Sequence, residues 1–210
     1  MIRILVADDH PVVRQGIRHI VAGAGDMLVA DEAGNGSELL DCARTVDHDL
    51  ILLDLSMPGT STLDLLKQLK RERPKVPVVI LTMYSEGQFA IRALKAGAAA
   101  YLLKDSAPTE LVDAVRKVVA GGRYLTPSVA ESLAGYLADD SESPPHEQLS
   151  DREYQVLRMI ATGKSTRQIS TELALSVKTS STYRARIYEK MRMKSPAELA
   201  AYAVRNRLSE

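Results

Sequence analysis

Five short apolar runs, each ending at a polar or charged residue and each followed by an amphipathic stretch, constrain this chain more than any other feature. The runs cover residues 2–7, 27–30, 50–53, 76–81 and 98–103 and are mostly built from Val, Ile and Leu. Runs of this length and composition read as strands buried on both faces. The stretches after them, residues 11–22, 37–45, 62–73, 86–96 and 108–120, carry helical spacing. Pro11 suits a first helical turn, and Gly23, Gly97 and Gly121-Gly122 stand where helices are expected to stop. Strand and helix alternating five times imply an α/β domain with a doubly wound five-stranded parallel sheet. A strand order of 2-1-3-4-5 makes the first and third strands neighbours where the order reverses.

The remainder is of a different kind. Residues 139–147 have almost no apolar content and read as a flexible acidic linker. Beyond it lie four helical patterns and no strand signal. Three open with a capping-box spacing, Ser150-x-x-Glu153, Ser165-x-x-Gln168 and Ser195-x-x-Glu198, and the fourth is expected to start at Ser176. Pro196 occupies the first position of the last helix, expected over 196–207. The expected division is therefore 1–122, an interdomain helix and linker over 123–148, and a small all-α domain of four helices over 149–210.

The formal net charge is zero, yet residues 149–210 hold twelve Lys/Arg against six Asp/Glu. A basic C-terminal third is what a phosphate-backbone partner needs, although a basic solvated helix face would give the same count. Cys42 is the only cysteine, so an intramolecular disulfide is excluded. Asp8-Asp9 interrupts the first apolar run, and no run approaches the ~20 residues of a membrane span. A soluble, cytoplasmic protein is expected.

Asp8 and Asp9 follow the first strand, and Asp54 ends the third. Asp8-Asp9 alone would be a reasonable helix cap. With Asp54 at the same sheet edge, three carboxylates converge in one crevice, where like charges raise each other's pKa unless a cation compensates. Oxygen ligands in an open site suit Mg²⁺. Thr82 ends the fourth strand and Lys104 the fifth, which brings a hydroxyl and an ammonium to that crevice. Tyr101 near the end of the fifth strand reads equally well as a core aromatic. His10 reads as an exposed residue at the start of the first helix.

The stretches Asp8-Asp9-His10-Pro11, Leu53-Asp54-Leu55-Ser56-Met57-Pro58-Gly59, Leu81-Thr82-Met83 and Ala100-Tyr101-Leu102-Leu103-Lys104-Asp105 resemble the receiver domain of two-component signalling over about residues 1–122. The resemblance implies that Asp54 is the phosphoacceptor. It further implies that Asp9 and Asp54 ligate the metal directly, Asp8 through water, and that the Ser56 main-chain carbonyl completes the protein's set. Lys104 would pair with the phosphoryl oxygens, the Thr82 hydroxyl would move to bond them, and Tyr101 would follow as a rotamer switch. The phosphoryl donor would be a phosphohistidine on a sensor histidine kinase. Asp54 is then a nucleophile with no separate substrate, and the protein is not read as an enzyme. One departure stands out: the family has Asp-Gly where this chain has Ser61-Thr62. A threonine forced to positive φ there would cost roughly 1 kcal/mol.

In the C-terminal part, apolar residues 156, 157, 160, 169, 173, 177, 187 and 191 repeat at helical spacing and would close a small core. Ser180 should face that core and therefore needs a partner. Lys178, Ser181, Thr182 and Ala185 fall on the opposite face, where they could enter a major groove. The stretch 149–207 resembles the LuxR-type helix-turn-helix, which together with the receiver places the chain among NarL/FixJ-type response regulators. The resemblance assigns base contacts to Ser181, Thr182 and Ala185, and phosphate contacts to Lys178, Thr179, Tyr183, Arg184, Arg186 and Lys190. It also implies pairing of two such domains through the last helix, where Ala197, Ala200, Ala201 and Val204 form a small-residue stripe. Double-stranded DNA, a sensor kinase, a second copy of the chain on activation and RNA polymerase are the partners so implied. Two rival readings remain: a constitutive DNA-binding regulator whose receiver never takes phosphate, supported by Ser61-Thr62 alone, and a metal-dependent phosphatase.

Overall fold

The computed structural model describes residues 1–57, 61–83, 87–138, 144–206 and 208. Pro58-Gly59 of the motif after Asp54, Glu86 at the expected start of the fourth helix, residues 139–143 of the acidic linker and Arg207 lie outside the described residues. The chain divides into two compact units, Met1–Tyr136 and Leu137–Glu210.

The first unit is a five-stranded parallel sheet in the order β2-β1-β3-β4-β5. Its strands are β1 (Ile2–Ala7), β2 (Met27–Ala33), β3 (Leu50–Asp54), β4 (Val78–Thr82) and β5 (Ala100–Leu103). The helices after them are α1 (Pro11–Ala24), α2 (Gly36–Thr45), α3 (Thr62–Glu72), α4 (Gly87–Lys95) and α5 (Ala107–Val119). Side chains alternate across the sheet. Ile4, Val6, Leu50, Leu52, Val79, Leu81 and Leu102 pack in one core with Ile17 and Val21 of α1 and Leu111 and Val115 of α5. The other parity, including Leu5, Ile51, Leu53, Ile80 and Tyr101, is equally buried, as are Leu39, Leu66, Leu69, Ala90 and Leu94 of α2 to α4.

The end of α1 corrects the sequence expectation. The helix runs through Gly23 and is closed by Gly25, which takes the left-handed conformation at φ 76°. Both glycines are compatible with a stop, and only the one that meets the turn into β2 is used. A helix α6 (Pro127–Ala138) follows α5 and lies almost wholly within the first unit, with the Thr126 hydroxyl accepting the Val129 N–H.

The second unit holds a 3₁₀ turn (Pro145–Gln148), within the stretch read as linker, and helices α7 (Asp151–Ala161), α8 (Thr166–Glu172), α9 (Val177–Met191) and α10 (Pro196–Arg205). The capping boxes at Ser150/Glu153 and Ser165/Gln168 are complete in both directions. The third is half formed: Ser195 accepts the Glu198 N–H, while the Glu198 carboxylate accepts from Lys194 N–H. Ser176 caps α9 by accepting the Thr179 N–H. The turn between α8 and α9 passes through Ala174 at φ 50°, and Arg152 of α7 donates to the Leu173 carbonyl there. Ser180 is buried and hydrogen-bonds the hydroxyl of Ser170 at 3.0 Å, which supplies the partner its burial demands. Val177, expected in the core, is 53% exposed. It is the first residue of α9, where the inward face of the helix has not yet begun.

Glu153, buried beneath its capping box, also receives the Lys190 ammonium at 2.6 Å. Burial pushes its carboxyl up, but Lys190 and the Ser150 cap outweigh that and hold it below the ordinary value of 4.5. A depressed carboxylate contributes stability above its unfolded pKa, and that contribution is lost as pH falls through the folded value. Lys190→Met is expected to cost about 1–2 kcal/mol at neutral pH, because the ammonium is partly in water and the pair is only half buried. Urea denaturation checks this, and the gap from the unsubstituted chain should close below pH 4.5.

Candidate functional site

Strand register builds the site. Ala7 pairs with Leu53, and Asp54 pairs with Leu81, so Asp8 and Asp54 occupy the same row at the carboxyl edge of the sheet. Thr82 pairs with Leu103, which leaves Lys104 as the next residue past β5. Asp8, Asp54 and Lys104 continue the parity of Val6, Leu52 and Leu102 and emerge on one face. Thr82 continues the parity of Ile80 and lies on the other face with Tyr101.

The three charged groups meet. Lys104 Nζ lies 2.7 Å from Asp8 Oδ2 and 3.0 Å from Asp54 Oδ2. Asp8 and Asp54 are each 1% exposed. One ligand-capable atom from each of Asp8, Asp9, His10 and Asp54 falls within a 4.8 Å span. Both Asp54 oxygens are buried without a hydrogen bond of ordinary geometry among the described residues. A carboxylate cluster with unfilled acceptor capacity and one ammonium fits a hard divalent cation with oxygen ligands. His10 sits at its mouth, largely exposed, with Nδ1 2.9 Å from Asp9 Oδ1.

Burial pushes the Asp54 carboxyl above its ordinary 3.8, the Lys104 charge pulls it back, the Asp8 charge raises it again, and the Ser56 N–H favours the ionised form. The net direction is upward. Lys104 moves up as well: burial opposes its charge, but the hydrogen bond to Asp8 and the charges of Asp54 and Asp8 more than compensate.

Thr82 and Tyr101 are both fully buried. The Lys104 N–H donates to the Thr82 carbonyl at 2.8 Å, which ties the β5 exit to the end of β4. The Tyr101 ring is thus held inside the fold in this conformation. Ser56 stands in the turn that immediately follows Asp54. Neither Ser61 nor Thr62 takes positive φ; Ser61 precedes α3 at φ −56°, and Thr62 begins the helix.

Two features escaped the sequence. Arg14 of α1 donates to the Asp8 carbonyl at 2.6 Å and to Glu32 of β2 at 2.9 Å, with Arg18 on the other side of Glu32. It fixes the turn that presents Asp8 and Asp9. Nothing in sequence spacing pairs residues 14 and 32. The second feature is the Thr62 hydroxyl, which donates to the Leu55 carbonyl at 3.0 Å.

Among the residues of α9 assigned to DNA, Lys178, Ser181, Thr182, Ala185 and Arg186 are exposed, and Thr179, Tyr183 and Arg184 are half-buried. Thr179 shares a hydrogen bond with Ser176 at 2.8 Å. Arg184 reaches Thr166 of α8 and lies 5.5 Å over the Tyr188 ring. Lys190 is committed to Glu153. On α10, Leu199 and Ala203 face inward, while Ala197, Ala201 and Val204 are exposed and Ala200 is half-buried.

Residues 4–116 match the family model of the response regulator receiver domain, and residues 147–203 match that of bacterial regulatory proteins of the luxR family. The chain belongs to the NarL/FixJ-type response regulators. It is similar to the response regulator GacA of Pseudomonas aeruginosa, 40% identical over 98% of this chain and 97% of that protein. The response regulator UvrY of Escherichia coli K12 is 36% identical over 99% of this chain and 96% of that protein. Among solved structures, RcsB of Salmonella enterica serovar Typhimurium, bound to promoter rprA in the presence of the phosphomimetic BeF₃⁻, superposes with a TM-score of 0.66 at 27% identity, covering 96% of this chain and 98% of that one. This response regulator therefore joins a receiver to a luxR-type DNA-binding domain, as transcription regulators of the family do. Among the described residues no helix is long and apolar enough to cross a membrane.

A raised carboxyl pKa means that the buried charge opposes folding at neutral pH. That cost is absent below the unfolded value and complete above the folded one. In metal-free buffer at pH 7, Asp54→Asn is expected to raise the melting temperature by roughly 3–6 °C. Lys104 retains Asp8, so the substitution leaves no unpaired cation. The gain should shrink as pH falls toward 3.8, which thermal melts across that range will show.

Proposed function

We propose that Asp54 accepts a phosphoryl group from a phosphohistidine on a sensor histidine kinase, and that the aspartyl phosphate shifts the chain toward a dimer that binds DNA. The observation that carries this reading is Lys104 lying within 3.0 Å of both Asp8 and Asp54 while the carboxylates cluster within 4.8 Å. An Asp54 oxygen attacks phosphorus in line, a P–O bond forms, and the P–N bond to the donor imidazole breaks. Phosphoryl transfer of this kind needs positioning and neutralisation of the equatorial oxygens. Asp9, Asp54 and the Ser56 carbonyl, with Asp8 through water, would hold Mg²⁺, which would supply positive charge at the transferred group. Lys104, beside Asp54, supplies the rest. The Thr82 hydroxyl turns to the phosphoryl group, and Tyr101 exchanges between inward and outward rotamers as the space beside Thr82 changes.

The DNA-reading surface is α9. Lys178, Ser181, Thr182 and Ala185 recur at one-turn spacing on its exposed face, and such a helix with short side chains fits a major groove. Ser181, Thr182 and Ala185 address base edges. Lys178, Thr179, Tyr183, Arg184 and Arg186 address phosphates and set position. Lys190 contributes to this surface through its hold on Glu153. Ala197, Ala200, Ala201 and Val204 of α10 pair two DNA-binding domains. The receiver then comprises residues 1–122, the connecting helix and linker 123–148, and the DNA-binding domain 149–210. The reading of a receiver that never takes phosphate loses its support, because Thr62 fits the first turn of α3 without backbone strain.

Incubation with Mg²⁺ and acetyl phosphate followed by intact mass spectrometry tests the proposal. A species heavier by about 80 Da, one phosphoryl group, is expected in the unsubstituted chain and not in Asp54→Ala. Its absence in both sinks the phosphoacceptor assignment.

A further inference from the structure

The Thr62 hydroxyl stands where the family carries a glycine, and it does something specific. It donates 3.0 Å to the carbonyl of Leu55, in a buried setting where Thr62 is 3% and Leu55 7% exposed. That carbonyl shares one planar amide with the N–H of Ser56. The same Ser56 N–H favours the ionised form of Asp54. A single peptide plane therefore has Thr62 at its oxygen end and, at its nitrogen end, the N–H of Ser56, two residues past Asp54. The next carbonyl along the chain belongs to Ser56.

Two physical consequences follow. First, a hydrogen bond at the carbonyl end polarises the amide and strengthens its N–H as a donor. Second, it fixes the rotation of the plane that enters Ser56, which narrows the directions open to the following plane, the one that carries the Ser56 carbonyl. The anchor is rigid: Leu63, Leu65, Leu66 and Leu69 bury α3 in the core. The hydroxyl is also available, because the usual capping duty at this helix end is not in use; Ser61, the N-cap, makes no side-chain cap bond.

We propose that Thr62 is a positioning residue for the phosphoacceptor site: its hydroxyl sets the Leu55–Ser56 amide, and thereby the orientation of the Asp54 carboxylate and of the Ser56 carbonyl toward a divalent cation. This inference rests on the phosphoacceptor reading of Asp54. It turns the chain's departure from the Asp-Gly pattern from a defect of the loop into a hydroxyl brace for it.

The test uses the full chain with Thr62→Val, which keeps shape and removes the hydroxyl, Thr62→Ala, which removes the hydroxyl and bulk, and Thr62→Ser, which restores the hydroxyl. Mg²⁺ affinity is read by calorimetry without any phosphodonor, and the rate of Asp54 labelling by acetyl phosphate is read by intact mass at saturating Mg²⁺. Loss of one neutral buried hydrogen bond predicts about a three- to tenfold weaker Mg²⁺ affinity and a similar fall in labelling rate for Thr62→Val and Thr62→Ala. Thr62→Ser should stay within about twofold of the unsubstituted chain on both readouts, because it keeps the donor. Unchanged affinity and rate in Thr62→Val and Thr62→Ala overturn the inference and leave the site assignment standing. An equal fall in Thr62→Ser also overturns it, since bulk rather than the hydroxyl would then be responsible. If the unsubstituted chain takes no phosphoryl group, the site assignment itself fails and this inference goes with it.

Discussion

Two carboxylates shut away from water side by side are the constraint on which the receiver unit turns. Asp8 and Asp54 share a row of the sheet and are each almost fully buried, an arrangement that costs free energy unless positive charge is supplied. Lys104 supplies part of it from the end of the fifth strand. The parallel sheet brings these residues together without any local contact between them in sequence. Each strand ends at the same edge, and parity along each strand selects the face. The apolar rows behind the acids then exclude water, which makes the crevice expensive to charge and therefore responsive to a cation or a phosphoryl group.

The alternation of runs and helices, the strand order and the convergence of Asp8, Asp9, Asp54 and Lys104 were legible in the sequence because they depend on periodicity and on where each apolar run stops. Those are local properties. What the sequence left open was mostly a choice between equivalent local options. Gly23 and Gly25 both suit the end of a helix, and the geometry of the turn into β2 selects the second. Val177 has the composition of a core residue, and its place at the first position of α9 turns it outward. The Ser195-x-x-Glu198 spacing permits a reciprocal cap, yet Glu198 takes the Lys194 N–H instead. Arg14 with Glu32 and Thr62 with Leu55 are pairings between elements, and no spacing rule reaches them.

The C-terminal unit shows why a count of basic residues overstates a DNA surface. Lys190 is consumed by buried Glu153, and Arg152 caps the turn after α8 from within the core. Arg184 is steadied by Thr166 and by the Tyr188 ring, which fixes its direction while leaving it charged. What α9 offers outward is a stripe of short side chains flanked by a few cations. On the proposed reading, the short side chains would let the helix backbone approach base edges closely, and the flanking cations would hold it in register. The Ser170–Ser180 pair beneath that stripe sets how α9 lies on α8, because two buried hydroxyls satisfy each other in one relative placement of the helices.

A ligand shifts a conformational equilibrium only by the difference in its interaction with the two states. In the crevice, that difference has a source within the fold. Burial pushes the Asp54 carboxyl upward against the pull of Lys104, so its charge is costly in the crevice. On the proposed reading, a divalent cation and phosphoryl oxygens would add contacts to Asp54 and to Lys104, which already holds Asp8 and Asp54. Any such change would be felt at the ends of β4 and β5, which are tied to each other by the Lys104 N–H on the Thr82 carbonyl. Tyr101 of β5 is fully buried on the same face of the sheet as Thr82, paired with Ile80 two residues before Thr82. Close-packed interiors answer such a change by switching rotamers rather than by deforming smoothly. On the proposed reading, the charge cost at Asp54 and the buried ring of Tyr101 would be two ends of one device, in which electrostatic strain at the sheet edge is converted into a choice of side-chain packing on its far face.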